Sequence, residues 1–238
     1  MYTNMHGQPV GQPLPDWRPP PHPPRVVLSG RYCRVEPIDQ AEHAAALYAA
    51  NQLDTSGEGW TYLSFEPFTD FESYRRWVES VQSGADPMFH AIIDLATGKA
   101  VGVATYMRID PKGGVIEVGN LRFSPLMQRS RVATEAMYLM MKQAFALGYR
   151  RYEWKCDALN APSRAAAQRF GFSYEGLFRQ ATVYKGRNRD TAWYSIIDTE
   201  WPALDKAFTR WLATENFGPN GRQIVSLSAL TAPLRAVG

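Results

Sequence analysis

The sequence predicts one α/β (α+β) domain over residues 26–213, with a Pro-rich arm (1–25) before it and an irregular tail (214–238) after it. Three observations carry that prediction. Between Met88 and Ser124, β-prone runs are separated by brief turns, Thr97-Gly98-Lys99 and Asp110-Pro111-Lys112-Gly113-Gly114, as antiparallel hairpins require. Segments of helical period with recognisable caps lie before and after those runs. In the middle, Val115 to Gly148 reads as a strand, a basic turn and a helix in succession.

The elements follow in order. Residues 1–25 hold eight of the seventeen prolines, so the arm is expected to be extended, polyproline-like backbone, either packed on its own domain through Trp17, laid across a partner subunit or offered to an aromatic groove, the first being favoured. Gly30 to Ile38 suits an edge strand closed by Pro37. Asp39 is a candidate N-cap with Glu42 completing a capping box, and the helix runs to about Leu53 with Ala46, Leu47 and Ala50 on its apolar stripe. Asp54 to Thr69 fits no period but is rich in aromatics; Asp70 then caps a helix from Phe71 to about Gln82. Strands are predicted at Met88 to Asp94, Ala100 to Ile109 and Val115 to Ser124. A helix from near Val132 ends at Gly148, with Met137 and Met140 as core filling. Arg151 to Asp157 alternates as a strand, with Tyr152, Trp154 and Cys156 on one face. Pro162 opens a helix that Gly171 closes; β-prone runs at 172–178, 181–184 and 191–197 and a helix at 201–212 complete the domain.

Composition excludes several classes. With 45% hydrophobic and 21% charged residues this is an ordinary globular chain, and a net charge of +3 gives no basic stripe for nucleic acid. No run of about eighteen apolar residues suggests a membrane span, and no signal peptide is expected. The two cysteines, Cys33 and Cys156, and four scattered histidines lack metal-ligand spacing. A cytoplasmic protein with free thiols, no metal, and no nucleic-acid or membrane partner is the expectation.

The central turn carries the chemistry. The first N–H groups of a helix lack internal acceptors and sit at the positive end of its dipole, and here Arg129 and Arg131 add full charges. That is a device for holding an anion, although a strand–turn–helix that merely joins two elements looks similar. With the order β-α-α-β-β-β-α-β-α-β-β, the stretches Gln128-Arg129-Ser130-Arg131-Val132-Ala133-Thr134-Glu135-Ala136 and Asn160-Ala161-Pro162-Ser163 followed by Gly171-Phe172 resemble the GNAT acetyltransferase superfamily. The chain looks most like the branch containing the ribosomal-protein N-terminal acetyltransferases, and the resemblance covers roughly Tyr32 to Ile197. It implies the GNAT fold, a mixed and mostly antiparallel sheet with helices on both faces. It also implies acetyl-coenzyme A as donor, a primary amine (small molecule or peptide) as acceptor, and a possible homodimer. The first stretch matches Gln/Arg-x-x-Gly-x-Gly/Ala, whose N–H groups bind the pyrophosphate in the family. Arg131 stands where its glycine is expected, so that side chain must point away or itself become a phosphate ligand; the second is favoured.

The resemblance implies direct attack of an amine on the thioester. Glu117 is the candidate base, because a carboxylate within an apolar strand is desolvated and its pKa rises; a Glu neutralised by a neighbouring Arg is the plain alternative. Asp157 is held in reserve. Main-chain N–H groups near Leu121 to Ser124, Leu121 and Phe123 among them, would polarise the carbonyl if the strand bulges open. Gln128, Arg129, Ser130, Arg131, Val132, Ala133 and Thr134 are the candidate diphosphate residues. Pro162 pushes Ala161 toward the N-cap position, leaving Asn160 free for the pantetheine amide the resemblance implies, or for an Asx turn. Ser163 is the candidate donor to the leaving thiolate, since the family's usual Tyr would fall at Ala167; a nearby Tyr or water remains open. The acceptor is expected among Asp54 to Thr69, the second helix and the 179–190 hairpin, with Asp54 or Glu58 greeting the amine and Trp60, Tyr62 and Phe65 lining a pocket or merely capping the core. A non-catalytic acyl-coenzyme A sensor on the same fold is the rival reading.

Overall fold

The computed structural model describes residues 1–236. In chain order its elements are β1 (Tyr2–Thr3), β2 (Pro9–Val10), β3 (Leu28–Ser29), β4 (Cys33–Pro37), α1 (Gln40–Asn51), α2 (Phe71–Val81), β5 (Met88–Asp94), β6 (Lys99–Asp110), β7 (Val115–Phe123), α3 (Arg131–Ala146), β8 (Arg151–Asp157), α4 (Ala161–Arg169), β9 (Ser173–Tyr184), β10 (Arg187–Ile197), α5 (Trp201–Leu212) and α6 (Leu227–Thr231). Strands β3 to β10 form one eight-stranded sheet in the order β3-β4-β5-β6-β7-β8-β10-β9. Every pairing in it is antiparallel except β7 with β8. One face is covered by α1 and α2 over the β4–β6 half, with Leu47, Tyr74, Val78, Phe89 and Val103 in that core. The other face carries α3, α4, α5 and α6 on the larger core, where Met137, Met140, Tyr152, Trp154 and Phe208 meet. The mixed α/β class and the Met filling of α3 are as the periodicities predict, and the mostly antiparallel sheet is as the short turns and the resemblance imply. Among the described residues no helix is long and apolar enough to cross a membrane.

Four local expectations are corrected. Asp39 does cap α1, its Oδ1 accepting from the N–H groups of Ala41 and Glu42. The reciprocal bond, however, comes from His43, whose Nδ1 accepts the Asp39 N–H at 2.9 Å; Glu42 stays exposed and closes no capping box. The arm is extended where prolines dominate, with Pro20 and Pro23 buried and Trp17 beside Arg150, but its first ten residues fold into the small β1–β2 hairpin. The tail is not irregular throughout: Ser226 caps α6, and Leu227 and Thr231 are fully buried against the domain. Finally, β9 is one long strand rather than two runs. Positive φ at Gln180 and φ 154° at Gly176 let it bend without ending.

Candidate active site

The sheet opens at its middle. β7 and β8 pair only from Val115–Arg151 to Val118–Trp154; beyond that point β8 stays with β10 and β7 stays with β6, so the two strands part. A bulge drives the parting. Val103 faces Arg122 and Thr105 faces Gly119, so Asn120 and Leu121 together oppose Ala104, and Asn120 takes φ 47° to fit. The Ser124 N–H is bonded to Val101 O on β6 and cannot donate into the opening, which removes Ser124 from the expected set. Successive N–H groups of a strand point to opposite edges, so the Phe123 N–H faces the open side. The Phe123 carbonyl on that same edge accepts from Gln128 Nε2 at 3.0 Å, which fixes the turn that follows.

That turn is organised by hydrogen bonds from within. Ser130 is the N-cap of α3, its Oγ accepting from the Ala133 N–H, and Ser130 O accepts from the Thr134 N–H. Met127 and Gln128 both donate to Ser124 O, and Ser130 donates to Met127 O. Among the described residues, the N–H groups of this turn and helix start without a protein acceptor are those of Leu126 and, at the helix start, Arg129, Arg131 and Val132. Arg129 adopts φ 56°, a left-handed conformation a long side chain rarely takes, and it is what turns the chain into the helix. Orphan donors at a helix start are the kind of group that can hold a diphosphate. Ala133 and Thr134, expected in the same set, are corrected: both are buried with their N–H groups engaged, and Thr134 Oγ1 accepts from Arg169. Arg131, at the glycine position, is the first helical residue and has no need of positive φ. Its guanidinium lies 4.7 Å from the ring centres of both Tyr32 and Phe217, so the cation is held beside the helix start by two aromatic faces.

Across the opening, Asn160 is itself the N-cap of α4, correcting the assignment of Ala161 to that position. Its Oδ1 accepts the Ser163 N–H at 3.1 Å, while its Nδ2 remains free to donate. Pro162 is tolerated in the first turn because its nitrogen is one of the helix's orphan positions. Ser163 Oγ accepts from Trp154 Nε1 at 3.0 Å, leaving its own proton available. Ala167 is fully buried.

Glu117 lies on β7 ahead of the parting and is 2% exposed. Arg108 Nη1 donates to its Oε1 at 2.6 Å, and Lys155 Nζ stands 2.9 Å from its Oε2. Burial pushes the Glu117 carboxyl upward, and the two cations pull the other way without cancelling it; the net direction is up. Both sequence alternatives are therefore present in one residue: it is desolvated and it is paired. Asp157, the reserve, is committed: its Oδ2 accepts from the Tyr184 hydroxyl at 2.9 Å and its Oδ1 from the Leu159 N–H. Tyr184 is pushed up to about 12 by burial and by that neighbouring carboxylate.

The acceptor side brings together what the sequence kept apart. Lys185 at the tip of the β9–β10 hairpin donates to Trp60 O, and the Tyr62 hydroxyl donates to Leu159 O, so the 54–69 loop and the hairpin meet beyond the end of β8. The aromatics of this loop serve the core, the plainer of the two readings. Trp60 packs on Phe65 at 5.8 Å, Phe65 on Trp77 at 5.5 Å and Trp77 on Phe89 at 5.5 Å. Asp54 does not wait for an amine: it pairs with Arg122 at 3.0 Å, and that guanidinium also lies over Trp60. Sequence reasoning missed Arg122, Arg108 and Lys155. The signal for Lys155 was present in R-Y-E-W-K-C-D, where Arg151, Glu153 and Lys155 share the strand face opposite Tyr152, Trp154 and Cys156.

The comparisons with known proteins agree with this geometry. Residues 34–173 match the family model described as the acetyltransferase (GNAT) domain. A crystal structure of a GCN5-related N-acetyltransferase from Brucella melitensis is 46% identical, covers 92% of this chain and 100% of its own, and superposes with a TM-score of 0.90. An uncharacterized N-acetyltransferase p20 from Bacillus licheniformis is 26% identical over 145 residues, 59% of this chain and 80% of that protein. At the level of fold alone, an acetyltransferase from Salmonella typhimurium, described as modifying the N-terminal serine of ribosomal protein L7/L12, is 21% identical over 72% of this chain and 99% of its own, with a TM-score of 0.61. A family model spanning more than half of the chain, beside a structure 46% identical over 92% of it, settles the kinship: the chain belongs to the GNAT acetyltransferases and is an N-acetyltransferase.

Proposed function

We propose that this enzyme moves an acetyl group from acetyl-coenzyme A to a primary amine by direct attack of the amine, with Glu117 as the base. The observation that carries the reading is Glu117 itself: a buried carboxylate, raised in pKa, on the strand that leaves its neighbour to open the sheet. The coenzyme supplies an activated acetyl thioester. The free N–H groups of Arg129, Arg131 and Val132 suit its diphosphate, with Gln128 and Ser130 shaping that turn and Arg131 adding charge at its flank. The Phe123 N–H, next to Leu121 in the bulge, donates to the carbonyl oxygen as charge develops there. Glu117 takes the ammonium proton, which frees the nitrogen lone pair to form the C–N bond as the C–S bond breaks; the nitrogen's second proton leaves as the amide forms and ends on the departing sulfur, giving the free thiol. The Ser163 hydroxyl is placed to donate to the departing sulfur, a role the buried Ala167 cannot fill.

On the resemblance to the ribosomal-protein branch, peptide N-termini are the first acceptors to try and small amines the second, with the enzyme acting in the cytoplasm as a homodimer. Release of free thiol from acetyl-coenzyme A over such a panel, beside calorimetry of the coenzyme alone, tests the reading. Thiol release with at least one amine is expected; no heat of binding and no thiol with any amine would overturn it. Asn160 offers a sharper local check. Asn160→Asp keeps the cap but loses the Nδ2 donor, so thermal stability should hold while acetyl-coenzyme A binds up to about tenfold more weakly, the worth of one hydrogen bond. Asn160→Ala loses both and should also cost about 1 kcal/mol of stability.

A further inference from the structure

The ion pairs on Glu117 are one end of a longer array. On this face of the sheet, charges of opposite sign alternate from β6 to β9: Arg108, Glu117, Lys155, Glu153, Arg151, Glu175. Lys155 Nζ is 2.9 Å from Glu117 and 2.7 Å from Glu153; Arg151 Nε donates to Glu153 at 2.7 Å, and Arg151 Nη1 donates to Glu175, which also accepts from Ser195 Oγ. The two cations on Glu117 are not equivalent. The Arg108 side chain is 57% exposed, so water screens it, whereas the Lys155 side chain is 9% exposed and its ammonium lies 3.8 Å from the centre of the Trp193 ring. A buried cation shared between two buried carboxylates acts at a lower effective dielectric than an exposed one.

We infer that Lys155 is a positioning residue for acetyl transfer: shared between Glu117 and Glu153, it holds the Glu117 carboxylate ionised and fixed in direction beside the parting of β7 and β8. The inference rests on Glu117 being the base. Burial alone favours a neutral carboxyl, which is too weak a base to take a proton from an incoming ammonium; Lys155 opposes that burial from one side, at Oε2, and Arg108 from the other, at Oε1. Glu153, itself held by Arg151, which also grips Glu175, keeps the Lys155 ammonium in place.

The test is the pH dependence of kcat/KM for the wild type, Lys155→Met, Lys155→Arg, the charge-balanced double variant Lys155→Met with Glu153→Gln, and Glu117→Gln. Without the ammonium, the acid limb should move to higher pH by about one unit or more, so activity at a pH on the wild-type limb falls about tenfold and recovers above the displaced limb. The double variant leaves no unpaired buried charge, so it should fold and move the limb in the same direction, by less because the Glu153 charge goes too. Lys155→Arg should keep the wild-type limb, and the KM for acetyl-coenzyme A should not move in any of the Lys155 variants. Acid limbs of Lys155→Met and the double variant that superpose on the wild type would overturn the inference, while an inactive Glu117→Gln in the same series would leave the base assignment standing. If Glu117→Gln turns over like the wild type, the base assignment falls and this inference with it.

Discussion

Glu117→Gln is expected to lower kcat by about 100- to 10,000-fold, the usual worth of a positioned general base. Binding of acetyl-coenzyme A, measured by calorimetry, should be unchanged, because the turn that suits the diphosphate lies beyond the bulge on the far side of Gly119. The substitution keeps the shape of the side chain and removes only its charge. Lys155 retains Glu153 and Arg108 is largely solvated, so no stranded buried cation should unfold the protein. The sign of the pH effect follows from the direction of the shift. A base must be unprotonated to act, and burial raises the pKa of Glu117, so wild-type kcat/KM should climb with pH through a value above the ordinary carboxylate range and then level off. In Glu117→Gln that limb should vanish. A variant with wild-type turnover, or one that keeps the same acid limb, would show that another group takes the proton.

The second large effect concerns folding. Glu135 sits in α3 at 4% exposure, and its carboxylate accepts three main-chain N–H groups, from Arg31 at 2.8 Å, Tyr32 at 2.6 Å and Cys33 at 2.8 Å. These residues form the turn between β3 and β4, where Gly30 donates to Cys33 O. The turn lies so close to the carboxylate that a Cβ on Gly30 would collide with it. Glu135→Ala removes the acceptor and strands all three donors. At about 1–3 kcal/mol for each unsatisfied buried group, the expected loss is about 3–9 kcal/mol. For a chain of this size that corresponds to a fall in Tm of about 10 °C or more. Glu135→Gln should fall between, since its amide keeps one acceptor oxygen but turns a donor toward the same N–H groups. Because Tyr32 also supports Arg131, the Ala variant should weaken acetyl-coenzyme A binding as well. A thermal melt within 2–3 °C of wild type, against the scale just given, would mean that water replaces the carboxylate at no cost.

Much of the fold could be read in the chain because its signals are local. Asp39 and Asp70 announce helix starts through side chains that reach N–H groups two or three residues on. The bounds of β5, β8 and α5 coincide with those expected from alternation and period alone. The errors share a cause too. His43 in place of Glu42 at the α1 cap, Asn160 in place of Ala161 at the α4 cap, and the withdrawal of Ala133 and Thr134 from the diphosphate turn all depend on which of several nearby groups wins a hydrogen bond. Residue type narrows such a contest but does not decide it.

By itself the sequence determined the class of the fold, the strand–turn–helix on which a diphosphate can rest, and Glu117 as a carboxylate inside an apolar strand, since periodicity, caps and turn chemistry act over a few neighbouring residues. The tertiary structure decided what surrounds that carboxylate. Arg108 and Lys155 stand nine residues before it and thirty-eight after it, on strands that meet β7 from opposite sides. Only the register of the assembled sheet brings both cations within 3 Å of that carboxylate, and charge acts through space rather than along the chain.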